Sequence, residues 1–330
     1  MRNTLLKSLA LIGLLTTTSI ASAAELKVSH VRPQGAQVDL DINAFGKDVA
    51  TATGDGITLK VFAASALGDY TTVQEKISLG AVDMAIQPAA AGADRRLQIN
   101  SFPYLAENYA HAEKIYGKGG VVRQTVEELL AKQDITVLSA YPVYFGGISL
   151  NTAAVSPGDP SVAKGIKVRV PGVKSFQMLA DGLGYIASPI PFSEAFTSVQ
   201  TGVVDGVIGS GAEGYYASFR DVTKTFIRAN THFEIWYLMI NTETFNGLDA
   251  ANQTAMRKAA ETLEAKRWSA AADDQVKNEA KLAEAGATIV VLTDEQLSAA
   301  AKKIRAEVWP EVAKDLGAEW ANKILDAASK

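Results

Sequence analysis

The sequence predicts a two-domain α/β protein, on three observations. Segments of period-two or wholly apolar pattern alternate along the 330 residues with segments of helical period, which implies parallel sheets covered by helices on both faces. The length suffices for two cores at the usual ~100–200 residues each. A single helical pattern from about Ala250 to Ala285 would extend ~54 Å at 1.5 Å per residue, so it should lie across two domains.

In chain order the first feature is a leader. A positive Met1–Lys7 region, an apolar run from Leu9 to Leu15 and Ala21-Ser22-Ala23 before Ala24 read as a secretory signal, residues 1–23, with an A-x-A cleavage site. The expected product is soluble after cleavage and periplasmic. Strands are then predicted at Leu26–Ser29, Ile57–Phe62, Val82–Ile86, Ile135–Ala140, Ile166–Val170, Val203–Ile208, Phe226–Ala229, Ile235–Ile240 and Thr288–Leu292. Helical segments fall at Val38–Ala52, Tyr70–Leu79, Tyr109–Tyr116, Val121–Lys132, Val173–Leu183, Ser193–Thr201 and Ala212–Phe219. The long helix has Asp249 as N-cap and Gly286 as stop, with apolar stripes through Met256, Ala260 and Leu263 and through Val276, Ala280 and Ala283. Thr293 with Gln296 forms a capping box that opens the C-terminal helices.

Composition narrows the function. Removing Arg2 and Lys7 with the leader would take the formal charge from −4 to −6, which gives no electrostatic reason to bind DNA or RNA. The chain has no cysteine, so disulfides, thiolate metal sites and cysteine nucleophiles are excluded. Its three histidines, His30, His111 and His232, show no metal-ligand spacing. There is no G-x-S-x-G elbow, no phosphate loop and no G-x-G-x-x-G after a strand. No cofactor is implied.

The stretch Lys167–Gly206 carries most of the functional signal. It puts Arg169 on a short β-branched strand ended by Pro171, on the same strand face as Lys167, then a helix, a Pro-Ile-Pro-Phe turn and a second helix. A guanidinium at a strand end opening on a cleft can hold a carboxylate or sulfonate with two parallel charge-assisted hydrogen bonds. The alternative is an arginine paired with an internal aspartate. Phe192 reads as pocket wall or as hydrophobic staple, and Trp236 as pocket wall or core.

The run R-V-P, P-F-S-E and Q-T-G-V-V-D-G, in this order, resembles solute-binding proteins of tripartite ATP-independent periplasmic (TRAP) transporters. So do His30-Val31-Arg32-Pro33, Ala66-Leu67-Gly68-Asp69, Leu79–Ala85 and Phe102-Pro103-Tyr104-Leu105 followed by Tyr109-Ala110-His111-Ala112. The resemblance covers nearly the whole chain after the leader. It implies a two-domain periplasmic binding protein of type II-like, Venus-flytrap form, with crossing strands and a domain-spanning helix. Domain I would comprise residues 24–146 plus 235–274, and domain II residues 147–234 plus 275–330.

By the same resemblance Arg169 clamps the ligand, Phe192 packs on it and Trp236 meets it at the hinge. The second arginine usual in a G-F-R-like stretch is missing from Phe145–Asn151, and Q-E-N after V-D-G is replaced by Val207-Ile208-Gly209, then Ser210–Tyr216. Glycines such as Gly209 would let a ligand approach and leave room for Glu213 or Tyr215 to reach inward. Gln37, Gln87, Tyr141 and Tyr144 are further candidates, and Arg95 or Arg96 could supply the missing charge. The implied function is capture of a small organic anion, not catalysis, by a monomer that delivers it to the small and large membrane subunits. Rival readings are a receptor of an ATP-driven transporter and a secreted hydrolase or isomerase using Glu213 or Asp205 with a tyrosine.

Overall fold

The computed structural model describes residues 24–330; the expected signal at residues 1–23 lies outside the described residues. Eleven strands are described: β1 (Ala24–Ser29), β2 (Ile57–Phe62), β3 (Met84–Gln87), β4 (Ile135–Phe145), β5 (Gly147–Leu150), β6 (Lys167–Val170), β7 (Ile186–Pro189), β8 (Gly206–Ser210), β9 (Thr225–Arg228), β10 (Phe233–Asn241) and β11 (Thr288–Val291). They form two sheets, ordered β2-β1-β3-β10-β4 and β11-β9-β5-β8-β6-β7. Helices α1 (Gln37–Thr53), α2 (Tyr70–Ser78), α3 (Tyr109–Tyr116), α4 (Val121–Ala131), α5 (Lys174–Gly182), α6 (Phe192–Gln200), α7 (Ala212–Phe219), α8 (Thr242–Asn246) and α9 (Ala250–Glu284) alternate with the strands or follow them. Three more, α10 (Asp294–Glu307), α11 (Trp309–Leu316) and α12 (Ala318–Ala328), complete the chain.

The sheets are mixed, not parallel throughout. β10 runs antiparallel to both β3 and β4, and β5 runs antiparallel to both β8 and β9. These are the strands beside the crossings. The chain leaves the first sheet at the end of β4, enters the second as β5, and returns from β9 into β10, so each arriving strand opposes its neighbours. The two crossing segments are laced together, the Gly146 amide donating to the His232 carbonyl at 2.8 Å and the Thr231 amide to the Gly146 carbonyl at 2.9 Å. β4 continues past Ala140 through Pro142 because its register with β10 shifts there, between the pairs Glu234↔Tyr144 and Ile235↔Pro142, where a strand tolerates a residue without an N–H.

α9 crosses both sheets, as its length implies. Its buried line runs Met256, Ala260, Leu263, Arg267, Ala271, Gln275, Glu279 and Leu282. The expected second stripe is displaced, since Val276 is 63% exposed. The helix meets a polar seam there instead of a sheet face. Gln275 Oε1 accepts from the Phe145 amide at 3.0 Å and the Tyr109 phenol at 2.6 Å, satisfying backbone that the crossing strand leaves unpaired. The C-terminal helices also reach back across the crossing. Trp309 packs edge-on against Phe102 and donates Nε1–H to the Pro103 carbonyl at 2.8 Å, while Arg305 Nη2 bonds the Tyr104 carbonyl at 2.8 Å. Among the described residues no helix is long and apolar enough to cross a membrane.

Candidate functional site

Between the two sheets lies a cleft enclosing about 680 Å³ of atom-free space, its mouth included. Ends of strands from both sheets meet around it. Of the residues expected at a ligand, Arg169, Phe192, Trp236, Tyr144 and Gly209 all line this cleft.

Arg169 is 1% exposed although β6 begins at the surface with Lys167. Its Nε donates to the Ile190 carbonyl at 2.8 Å, and its guanidinium sits 5.7 Å from the centre of the Phe192 ring. Nη2 is buried without a partner. No described carboxylate bonds this arginine, so the alternative of an internal aspartate is not what the structure shows. Tyr70 lines the same wall; burial pushes its phenol pKa up, and the nearby Arg169 charge opposes that rise.

The second cation is Arg32, which the sequence reading noted only as part of a motif. It follows β1 and is 2% exposed. Nε donates to Glu213 Oε2 at 3.0 Å, and Nη2 to the Tyr144 hydroxyl at 3.0 Å and Ser210 Oγ at 3.5 Å. Its guanidinium lies between the rings of Phe192 and Trp236, 5.2 and 4.8 Å from their centres. Burial disfavours the charge on Arg32, but the Glu213 carboxylate outweighs it and raises the guanidinium pKa. Both aromatic side chains therefore hold an arginine of the protein itself on one face. Arg95 and Arg96 do not supply charge to the cleft: Arg95 pairs with Asp315 at the surface and Arg96 with Asp94.

The remaining expectations are relocated. Glu213 does not line the main cleft, because it is spent on Arg32. Tyr215 is wholly buried among Phe219 and Phe226, with its hydroxyl bonded to the Gly147 and Val207 carbonyls at 2.9 and 2.8 Å. Gln37 bonds Asp41 Oδ1 at 3.1 Å on α1 and faces a different groove. Gln87 is buried and donates to the Tyr70 carbonyl at 2.7 Å, orienting a wall residue without lining the cleft. Tyr141 bonds Asp41 Oδ2 at 2.9 Å beneath the sheet.

The glycines make room for protein, not for a ligand. A Cβ on Gly209, whose φ is +109°, would stand 2.6 Å from Pro171 Cδ. One on Gly214 would stand 2.5 Å from Arg32 Nη2 and 2.2 Å from Ser210 Oγ, so that position admits the arginine into its pocket.

Glu234 was also overlooked as a wall residue. It sits two positions before Trp236 on β10, hence on the same strand face. Its Oε1 accepts from Trp236 Nε1 at 2.6 Å and its Oε2 meets His232 Nε2 at 3.0 Å. A carboxylate can only accept, so His232 presents Nε2–H here, and its Nδ1 lies 3.0 Å from the Thr231 hydroxyl. At the rim, Asp69 bonds both halves. Its Oδ1 caps α2 through the Thr71 amide at 3.3 Å, and its Oδ2 accepts from the Ser193 amide of α6 at 3.3 Å.

Two α/β halves, crossing strands and a buried arginine facing an enclosed cleft define a receptor that surrounds its solute. The chain belongs to the bacterial extracellular solute-binding protein family 7, which it matches over residues 28–315. It is 26% identical over 299 residues to a solute-binding protein of Roseobacter denitrificans, covering 88% of each chain. It is 25% identical over 309 residues to the C4-dicarboxylate-binding periplasmic protein DctP of Rhodobacter capsulatus, covering 92% of this chain and 91% of that one. The solved sugar acid binding protein of Advenella mimigardefordensis, in complex with galactonate, shares the fold with a TM-score of 0.85 at 19% identity, over 93% of this chain and 98% of that one. Family membership makes this a solute-binding protein, not an enzyme, and among the described residues no cluster of acidic and histidine side chains could hold a metal ion.

Proposed function

We propose that this chain is the periplasmic receptor of a TRAP transporter, capturing a small organic anion, carboxylate or sulfonate, in the cleft and handing it to the small and large membrane subunits. The observation that carries the reading is Arg169, almost fully buried on the cleft wall with Nη2 unpartnered. A buried cation without an internal acid is built for an anion from outside. The names of the relatives support the same class: one binds C4-dicarboxylates and another was solved with galactonate. Export through residues 1–23, a monomeric receptor and the absence of any cofactor belong to this reading.

Closure would bring together a lobe of residues 24–146 plus 235–274 and a lobe of residues 147–234 plus 275–330. Arg32 and Asp69 in one reach Glu213 and Ser193 in the other, so the bonds described above belong to the closed form. Only a solute that binds this form better than the open one can drive the change, and the docking surface for the membrane subunits changes with it.

A thermal-shift and calorimetric screen over sugar acids, hydroxy acids, aromatic acids, sulfonates and compatible solutes tests the reading. At least one class should stabilise the protein. Arg169→Ala should remove that stabilisation, a loss of about 3–5 kcal/mol of ligand affinity, while lowering the melting stability of the free protein by about 1 kcal/mol or less through the lost Ile190 bond. Retained micromolar binding in the variant overturns the role of Arg169.

A further inference from the structure

The charges facing the cleft are not those of a plain anion site. Arg32 is matched by Glu213 at 3.0 Å, so the pair contributes no net charge. That leaves Arg169 on one wall and Glu234 on another, both lining the same space. The Glu234 oxygens each accept one bond from the protein, from Trp236 at 2.6 Å and His232 at 3.0 Å, and each keeps a further lone pair. The carboxylate is thus held by two donors and keeps acceptor capacity in a residue that lines the cleft.

From this we infer that the solute is a zwitterion, with a carboxylate or sulfonate on Arg169 and a protonated nitrogen on Glu234. The inference rests on the cleft being the solute site and names the chemistry that site selects. A simple monoanion would neutralise Arg169 and leave Glu234, held only by the Trp236 and His232 donors, without a cation from the solute, which is costly where closure excludes water. An amino or imino acid, or an aminosulfonate, completes both pairs and leaves the enclosed site neutral. A protonated nitrogen also gives Glu234 the N–H donors it lacks on that side.

The test uses the full exported protein and matched probes: 5-aminovalerate against 5-hydroxyvalerate, proline against cyclopentanecarboxylate, and 2-aminoethanesulfonate against 2-hydroxyethanesulfonate, with galactonate as a sugar acid. In calorimetry at least one zwitterion should bind at least about 30-fold more tightly than its counterpart without the protonated nitrogen, the loss expected when one partner of a buried charge pair is absent. Glu234→Gln keeps an acceptor for Trp236, and it should shrink that gap to within about threefold by weakening the zwitterion alone. Parity between the matched probes in the unaltered protein, or a gap that survives Glu234→Gln, overturns the inference. So does tight galactonate binding, whether without proton exchange or with uptake of a proton by Glu234 or His232, read as heat that changes with buffer ionisation enthalpy. If galactonate or another acid binds and no zwitterion does, the receptor reading stands and this one falls; if no solute of the wider screen binds, the receptor reading falls with it.

Discussion

Two arginines stand within one cleft, equally buried and differently employed. Arg32, in the turn after β1, is enclosed by Glu213, Tyr144 and Ser210 and sandwiched by Phe192 and Trp236. Arg169, at the end of β6, has one carbonyl partner and a free Nη2. Burial alone therefore does not mark a ligand residue. The pairing separates them: the satisfied arginine joins Glu213 across the two sheets, and the unsatisfied one is the residue proposed above to hold the anion.

The contrast is broken most sharply at Arg32. Arg32→Ala leaves Glu213 buried without its partner and should cost the closed form about 3–5 kcal/mol, seen as a lower melting temperature of the liganded protein and a larger radius in X-ray scattering. Adding Glu213→Gln should recover much of that loss, since the stranded charge is gone. If Arg32→Ala instead abolishes binding while the melting temperature holds, the two arginines share one job and the distinction fails. A smaller effect is expected from Gly214→Ala, whose new methyl would press on Arg32 Nη2 and Ser210 Oγ. Overpacking of that kind costs about 1–3 kcal/mol, and it should displace Arg32 while sparing Arg169, so that ligand rank order is unchanged even as the midpoint of denaturation falls.

The smallest effect concerns acidity behind Arg32. His30 is wholly buried beside Asp39, and burial, aided by the Arg32 charge and opposed by Asp39, lowers its pKa from 6.5. The native state then binds fewer protons than the unfolded chain just below that value. Stability should be intact above pH 6.5 and decline as the pH drops beneath it. Denaturant midpoints at pH 7.5 and 5.5 measure this, and His30→Gln should flatten the difference.

Much of the architecture was legible in residue patterns, and the exceptions have physical causes. The start of α9 at its Asp249 cap, the capping box at Thr293 and the limits of β2, α3 and α7 follow from local chemistry. β5 (Gly-Ile-Ser-Leu) and β7 (Ile-Ala-Ser-Pro) carry glycine, serine and proline in place of the β-branched pattern that marks β6, a strand of the same length, and Pro142 reads as a breaker although a register shift accommodates it. The displaced stripe on α9 could not be anticipated, because Gln275 and Glu279 are buried to serve Phe145 and Arg228, groups distant in sequence. In the site, Arg169 stands out because its R-V-P resembles the family's run, while the residues alone leave an internal ion pair open. Arg32 and Glu234 gave fainter signs: a cation directly after the first strand, and an acid two residues from a tryptophan on one strand face. The acid that pairs Arg32 lies 181 residues away, which spacing cannot reveal, whereas both partners of Glu234 stand two residues from it.

Asp69 shows how far the two halves depend on one another. α6 has Pro191 ahead of it and no side chain of its own to cap its first turn, and the Ser193 amide is satisfied by a carboxylate that already caps α2 across the cleft. The first turn of α6 thus borrows its order from across the cleft. If the halves separate as proposed, that amide loses its carboxylate, and the empty molecule would differ from the loaded one in local helix integrity as well as in shape.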